Sequence, residues 1–194
     1  KYGLKIEENF LNAGRGNHTS RDYLGYPVSA GAGNSGDKDH TNHLVEVISY
    51  SPTLILLQFM SINDWFHGQS ITHSRNALRD MIDMIRGHNI DLLVITPGPI
   101  ITTDNEFDYC DHPEYDIKSP LQNNLKGLGN YEDYINVIGE VCAEKGVPYI
   151  NMCDYFMDEY EQPYHQNWTI GNNAGRIHVN QYGMDLYFEG IKTY

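Results

Sequence analysis

Three short runs of almost uninterrupted apolar residues constrain the fold of this chain more than any other feature. They extend from Leu54 to Met60, from Asp91 to Pro97 and from Val147 to Met152. Strands that are apolar on both faces are typical of parallel sheets covered by helices on each side. A fourth, shorter strand is predicted to end at Phe10-Leu11. The sequence therefore predicts a buried parallel sheet.

Amphipathic helices are predicted between these runs, because apolar residues recur three and four positions apart. The repeats are Leu44, Val47 and Ile48; Leu78, Met81, Ile82 and Ile85; Tyr134, Ile135, Ile138, Val141 and Cys142; and a last helix over about 181–191. The helices are predicted to stop at Ser51-Pro52, at Gly87-His88-Asn89 and at Lys145-Gly146. Alternating strands and helices predict a single α/β domain over residues 1–194, built as a three-layer α/β/α sandwich.

Two long polar segments separate the predicted elements. Residues 23–40 are rich in glycine, and residues 97–130 contain several Pro, Asp and Tyr residues. Loops of this length in a compact domain usually form or cover a functional site.

The charge balance argues against two classes of partner. The chain has 13 basic and 26 acidic residues, and its formal net charge is -13. Nucleic acids and anionic membrane surfaces both attract basic proteins, so neither partner is expected. No apolar run is long enough to span a bilayer.

No cofactor and no metal ion are expected from the motifs. Gly31-Ala32-Gly33 does not follow a strand, as a dinucleotide-binding turn must. The acidic residues 104–111 lack the glycine and the final glutamate of a calcium-binding loop. His40 and His43 are interpreted as ordinary surface residues. The three cysteines have no CxxC spacing, which leaves open whether any two of them form a disulfide.

Polar residues follow the predicted strands where sites of open α/β sheets lie, at the carboxyl ends of the strands. Gly14, Gly16 and Asn17 lie in a turn whose main-chain N–H groups can converge on one point. Asn63 adds a side-chain amide, and such donors together can form an oxyanion hole. His178, just before the last helix, can serve as a general base. Each residue alone also has a plain structural explanation, but their coincidence at one edge favours a catalytic site.

These segments resemble the SGNH (GDSL-type) hydrolase family over nearly the whole chain. "FLNAGRGNHTS" is similar to the second block of the family, Asn-x-Gly-x-x-Gly-x-Thr-Ser, and "SINDW" to the third, Gly-x-Asn-Asp. "IHVNQYG" is similar to the fifth, Asp-x-x-His-Pro-Asn-x-x-Gly. The resemblance implies a flavodoxin-like α/β/α sandwich. It also implies that Asn17 and Asn63 bind the oxyanion and that His178 is the general base.

The chain departs from the family pattern at several catalytic positions. Gly175 stands where an aspartate should orient His178, and Ser61 replaces the glycine of the third block. Only eleven residues precede Asn12, so the Gly-Asp-Ser block that carries the nucleophile on a first strand has no counterpart. Ser35 lies in a polar loop and does not replace it. We therefore expect an N-terminally incomplete fragment, whose first strand comes from another segment or another chain.

Two functions fit this pattern. The first is a serine esterase that acts on acyl or acetyl esters, including those of glycans. A serine outside this chain would attack, with His178 as base and with Asn63 and Asn17 holding the oxyanion. The second is a non-catalytic binding or structural module of an extracellular or viral assembly, which Gly175 favours.

We expect a secreted or extracellular protein. If it is secreted from a eukaryotic cell, the triplets "NHT" at Asn17 and "NWT" at Asn167 are N-glycosylation acceptors, which would make it a glycoprotein. Asn17 cannot both face solvent with a glycan and point into a site as an oxyanion donor. We favour the oxyanion role.

Overall fold

The computed structural model describes residues 10–15, 18–26, 41–98, 100–101, 107–108, 131–158 and 181–192. The helices in these residues are α1 (Ser20–Tyr23), α2 (His43–Ser49), α3 (Ser61–Phe66), α4 (Ile71–Gly87), α5 (Tyr131–Lys145), α6 (Met152–Asp158) and α7 (Gln181–Lys192). The strands are β1 (Leu54–Gln58), β2 (Asp91–Ile95), β3 (Ile100–Ile101), β4 (Phe107–Asp108) and β5 (Tyr149–Ile150).

A parallel sheet with the strand order β1-β2-β5 lies at the centre of the fold. Leu54 pairs with Asp91 at one end of the first ladder, and Gln58 pairs with Ile95 at the other. The short strand β5 joins the other edge of β2, with Ile150 opposite Ile95. The three predicted apolar runs therefore form parallel strands, as expected. The strands β3 and β4 form a separate antiparallel pair.

Helices cover the two faces of this sheet, so the predicted three-layer α/β/α arrangement is confirmed. Side chains alternate between faces along a strand, which divides β2 between two apolar clusters. The larger cluster contains residues of β1, β2, α4 and α5: Ile55, Leu57, Leu92, Val94, Leu78, Met81, Ile82, Tyr134 and Ile138. The smaller cluster joins the opposite face of β2 and β5 to α7: Leu93, Ile95, Ile150, Leu186, Tyr187 and Ile191.

The prediction that a strand ends at Phe10-Leu11 is wrong. Both residues lie in irregular structure, and their exposed fractions are 62% and 58%. The Asn12 side chain, which follows them, accepts a hydrogen bond from the Gly14 main-chain N–H at 3.0 Å. Asparagine commonly turns a chain in this way, because its side chain replaces a main-chain partner.

The predicted helix stops coincide with left-handed main-chain conformations. Ser51 follows α2 with φ 54°, Asn89 follows α4 with φ 57°, and Gly146 follows α5 with φ 61°. Residues in this region cannot continue a right-handed helix, and Gly and Asn tolerate it best. The four longer helices predicted from apolar periodicity are all confirmed.

The seam between α4 and α5 forms a large part of the core. Leu78, Met81, Ile82 and Ile85 of α4 are fully buried. Three ion pairs cross the outer edge of the seam: Arg75 with Glu140, Arg79 with Glu144, and Lys145 with Asp83. Such exposed pairs contribute at most about 1 kcal/mol each, so apolar packing holds the two helices together.

We expect Leu78→Ala to lower the free energy of unfolding by about 2–5 kcal/mol, because it opens a cavity at a fully buried position. Urea denaturation followed by circular dichroism measures the change. Thr72→Ala, at an exposed position of the same helix, is the matched control, with an expected change within about 0.5 kcal/mol. Equal effects of the two substitutions would contradict the buried α4–α5 seam.

Candidate functional site

The third-block residues lie on a helix that begins immediately beyond the carboxyl end of β1. After Gln58, the Phe59 N–H donates to the Ile95 carbonyl at 3.1 Å, and α3 begins at Ser61. Asn63 is therefore in the first turn of α3, rather than in the irregular turn that its residue type also suggested. Because the helix starts at the carboxyl edge of the sheet, Asn63 lies where α/β proteins build their sites.

The Asn63 amide joins the third block to the second. Its Nδ2 atom donates to the His18 main-chain carbonyl at 2.8 Å. An amide nitrogen carries two N–H groups, and the bond to His18 fixes the direction of the other one. The two blocks, far apart in the sequence, therefore meet through Asn63.

The neighbouring Asp64 makes a second connection between the same segments. Its Oδ1 atom accepts from the Ser20 main-chain N–H at 2.7 Å, and its Oδ2 atom accepts from the Ser20 hydroxyl at 2.7 Å. The Ser74 hydroxyl of α4 also donates to Oδ2, at 2.6 Å. The Asp64 side chain is fully buried, so one carboxyl group links α1, α3 and α4 inside the protein.

Burial raises the pKa of Asp64 from 3.8 to about 6. The hydrogen bonds from Ser74 and Ser20 favour the charged form and oppose this change, whereas the nearby charge of Asp22 adds to it. Desolvation of a carboxylate in an apolar interior outweighs three hydrogen bonds in this case. Ionisation of Asp64 in the folded protein therefore lowers the free energy of unfolding.

This pKa gives a pH-dependent prediction for stability. A carboxyl group with a raised folded-state pKa stabilises the fold most below its unfolded value, and this contribution is lost as the pH rises through about 6. We therefore expect the free energy of unfolding of the wild type to fall by about 3 kcal/mol between pH 4 and pH 7, relative to Asp64→Asn. Urea denaturation of both proteins across this range measures the difference, and a difference independent of pH would contradict the raised pKa.

The second-block turn, which we define as residues 12–18, is anchored from two sides in its described part, residues 12–15. The Tyr23 hydroxyl donates to the Ala13 carbonyl at 3.2 Å, and Arg15 pairs with Glu46 of α2 at 3.1 Å. The sequence had suggested that the Gly14 N–H points toward a ligand. In the structure this N–H donates to the Asn12 side chain and is engaged within the turn. Gly16 and Asn17 lie outside the described residues.

The Thr-Ser pair that ends the second block has a structural role. Thr19 caps α1: its hydroxyl accepts from the Asp22 N–H at 3.2 Å, and its own N–H donates to the Asp22 carboxylate at 3.0 Å. Ser20 then anchors the helix on Asp64. The spacing of Thr19 and Asp22 is a capping-box signature, from which the start of α1 could have been predicted.

Further polar contacts lie along the same sheet edge, beyond β2 and β5. The Thr96 hydroxyl accepts from the Met152 N–H at 2.8 Å and donates to the Asn151 side chain at 3.2 Å. Tyr187 of α7 forms hydrogen bonds with the Gly98 main chain and the Gln58 side chain, and burial raises its pKa. The last helix is therefore attached to this edge of the sheet.

Of the predicted catalytic residues, the structure places Asn63 and leaves Asn17 and His178 outside the described residues, together with Gly175. Within the described part of the chain, no cluster of three or more His, Cys, Asp or Glu side chains is arranged to hold a metal ion. No helix in those same segments is long and apolar enough to cross a membrane.

Comparisons with known proteins place the chain in a family. Two solved structures resemble it, a proposed acylhydrolase from Bacteroides fragilis and a GDSL-like lipase from Bacteroides thetaiotaomicron. The first is 16% identical, covers 78% of this chain and 67% of its own, and has a TM-score of 0.48. The second is 14% identical, covers 78% and 68%, and has a TM-score of 0.47. Among curated proteins, none matches the sequence. The model of the GDSL-like lipase/acylhydrolase family matches residues 7–186, and the chain therefore belongs to that family.

Proposed function

We propose that this protein is an SGNH-type serine esterase that hydrolyses acyl or acetyl esters. The observation that carries the proposal is the Asn63 amide, which the His18 carbonyl holds at 2.8 Å on the carboxyl edge of the sheet. A donor fixed before the reaction stabilises charge that develops on a carbonyl oxygen without having to reorganise. Membership of the acylhydrolase family supports the same reaction class.

In the proposed mechanism, a serine outside this chain attacks the ester carbonyl while His178 takes its proton. The negative charge on the tetrahedral intermediate is held by the second N–H of Asn63 and by the main chain at Asn17. The intermediate collapses as the proton passes from His178 to the departing alcohol. Water then attacks the acyl-serine while His178 accepts its proton, and His178 returns this proton to the serine oxygen as the acid is released.

The attachment of α7 supports the role given to His178. Tyr187 anchors this helix beside Gly98 and Gln58, at the carboxyl edge of the sheet. His178 precedes Gln181, the first residue of α7, by three positions. The chain that carries His178 therefore leads into a helix that is attached to the carboxyl edge of the sheet, the edge at which α3 and Asn63 also lie. With Gly175 at the aspartate position, a main-chain carbonyl or an asparagine would orient the imidazole.

We also propose that a strand and a helix from another segment or another chain complete the sheet beside β1. Among the described residues, β1 pairs only with β2, and its Leu54 and Leu56 side chains are 51% and 50% exposed. Parallel sheets are normally buried on both faces. Met184 and Phe188 of α7 are also exposed, and they extend the apolar surface of this layer. The attacking serine would be carried by this additional segment.

A substitution on β1 tests whether an additional segment covers the Leu56 face of the sheet. We expect Leu56→Asp to lower the free energy of unfolding of the full-length protein by about 2 kcal/mol or more, because it would bury a charge against the added layer. Val45→Asp, at an exposed position of α2, is the control and should have little effect. Equal, small effects would mean that the Leu56 face remains in water.

The proposed substrates are acetyl esters of glycans, met in a secreted or extracellular setting. The chain contains 15 tyrosines, and tyrosine presents an apolar ring with a polar tip that suits contact with sugars. Release of acetate from acetylated oligosaccharides, compared with release from simple aryl acetates, tests this choice. Equal specificity constants for the two would remove the glycan from the proposal.

The test of the reaction class uses the full-length protein and a fluorophosphonate, which labels an activated serine. Covalent labelling together with hydrolysis of an aryl acetate supports the esterase. Absence of both supports the second candidate, a non-catalytic binding or structural module. Gly175 favours that candidate, because an imidazole without its carboxylate partner is a weaker base.

A further inference from the structure

Asp64 and Asn63 are adjacent, and both side chains hold the segment that follows the second-block turn. Asn63 donates to the carbonyl of His18, and Asp64 accepts from the N–H of Ser20. We propose that Asp64 is a positioning residue, whose carboxylate sets residues 18–20 against the Asn63 amide. Its effect on hydrolysis rests on the proposed function, whereas the positioning itself is a property of the folded chain.

The Asp64 carboxylate connects Ser20 to a fully buried residue of α4. Ser74, which donates to Asp64 Oδ2 at 2.6 Å, lies on α4 and is fully buried. The neighbouring Leu78 belongs to the seam with α5 and is also fully buried. The hydrogen bonds from Ser20 and Ser74 to Asp64 therefore connect Ser20 to α4. This helix is packed in the core and cannot shift independently.

Three donors converge on this carboxyl group, and a carboxylate is the side chain that suits them. In Asp64→Asn the amide oxygen can still accept from the Ser20 N–H, with the N–H₂ group toward the two hydroxyls, but this acceptor is neutral and its hydrogen bond is about half as strong. The two serine hydroxyls can rotate, but the main-chain N–H of Ser20 cannot. A change at Asp64 is therefore expected to act on the main chain at Ser20.

Protonation weakens the same contacts, because hydrogen bonds to a charged acceptor are about twice as strong as neutral ones. The titratable groups that act on Asp64 come from two packed helices, Asp22 from α1 and Tyr134 from α5. Burial raises the pKa of Tyr134, so this residue stays neutral across the working range. The residue of α4 that contacts the Asp64 carboxyl group is Ser74, which carries no charge. The hold on Ser20 is thus expected to loosen as the pH falls through about 6.

Amide hydrogen exchange, followed by NMR on the full-length protein, tests the proposal without reference to activity. After correction for intrinsic rates, we expect the Ser20 amide to exchange about tenfold faster in Asp64→Asn at pH 7.5, and about tenfold faster in the wild type at pH 5 than at pH 7.5. Asp91→Asn, at an exposed position on the opposite edge of the sheet, is the matched control and should leave the Ser20 rate unchanged.

Two exchange results would overturn the proposal. One is an unchanged Ser20 rate in Asp64→Asn together with no pH response in the wild type. The other is equal acceleration at Ser20 and at Met81 in the core of α4, which would mark general destabilisation rather than local positioning. Ser74→Ala keeps the carboxylate and its bond to the Ser20 N–H, so we expect it to accelerate Ser20 exchange less than Asp64→Asn does.

Hydrolysis gives the second readout. If the esterase proposal holds, Asp64→Asn should lower kcat about tenfold at pH 7.5 with KM nearly unchanged, because the acceptor that positions Ser20 is no longer charged. An inactive wild type in which Ser20 exchange still responds to Asp64 would refute the proposed function and leave the positioning role intact. Full activity of Asp64→Asn at every pH would overturn the positioning role in catalysis.

Discussion

Replacement of His178 by alanine is expected to lower kcat for aryl acetate hydrolysis by about 10³-fold or more. The imidazole takes the proton of the attacking serine and returns it to the leaving alcohol, so both chemical steps lose their acid–base catalyst. Binding of a small ester does not depend on this proton transfer, and KM should change little. Initial rates measured under saturating substrate, with the full-length protein, give the comparison.

His88→Ala is the matched control for this substitution. His88 follows α4 and is exposed, and it lies outside the set of residues proposed to act in the site. Its removal should leave the rate within about twofold of the wild type. Equal rates for the wild type and His178→Ala would remove His178 from the mechanism, even if the protein hydrolyses esters.

Replacement of Asn63 by alanine has the second-largest expected effect, a loss of about 10²–10³ in kcat. The amide has two tasks in the proposed site. One N–H holds the His18 carbonyl, and the other stabilises the negative charge that appears only in the transition state. Because the charge is absent from the bound ester, we expect the loss in kcat rather than in KM.

Asn76→Ala is the control for Asn63, because Asn76 is an exposed asparagine of α4 whose side chain contacts Arg79. Circular dichroism and urea denaturation of both variants separate the loss of a donor from the loss of the fold. A stable Asn63→Ala variant with wild-type kcat would exclude the amide from the oxyanion hole.

Local patterns in the sequence were sufficient to predict the sheet and the longer helices. The apolar runs at β1 and β2 could be identified because strands of parallel sheets normally carry apolar side chains on both faces, which gives almost continuous apolar sequences. The helix stop at Ser51 could be identified from the proline that follows it, and the stops near Asn89 and Gly146 could be identified because glycine and asparagine adopt positive φ most readily. Phe10-Leu11 had the same apolar character over only two residues, and the asparagine after it turned the chain instead.

The short helices α1 and α3 could not be predicted in the same way. A helix of four or six residues is too short to be stable by its own propensity, so both helices depend on contacts of their ends or side chains. The helix α3 has no side-chain cap, and its Asn63 and Asp64 side chains hold it against the second block. For α1, the support comes from Thr19 and Asp22 locally and from Asp64, which is 44 residues away from Ser20.

The sequence by itself determined the α/β class and the family, and it led to the prediction that Asn63 is an oxyanion donor. Those features depend on periodicity and on short blocks, which are local properties of a chain. Only the tertiary structure decided that Gly14 is engaged within its own turn, that Asn63 is held by His18, and that Asp64 is a buried carboxylate among serines. The reason is that a buried polar group depends on its partners, and the partners of Asn63 and Asp64 include residues 45 and 44 positions away in the sequence.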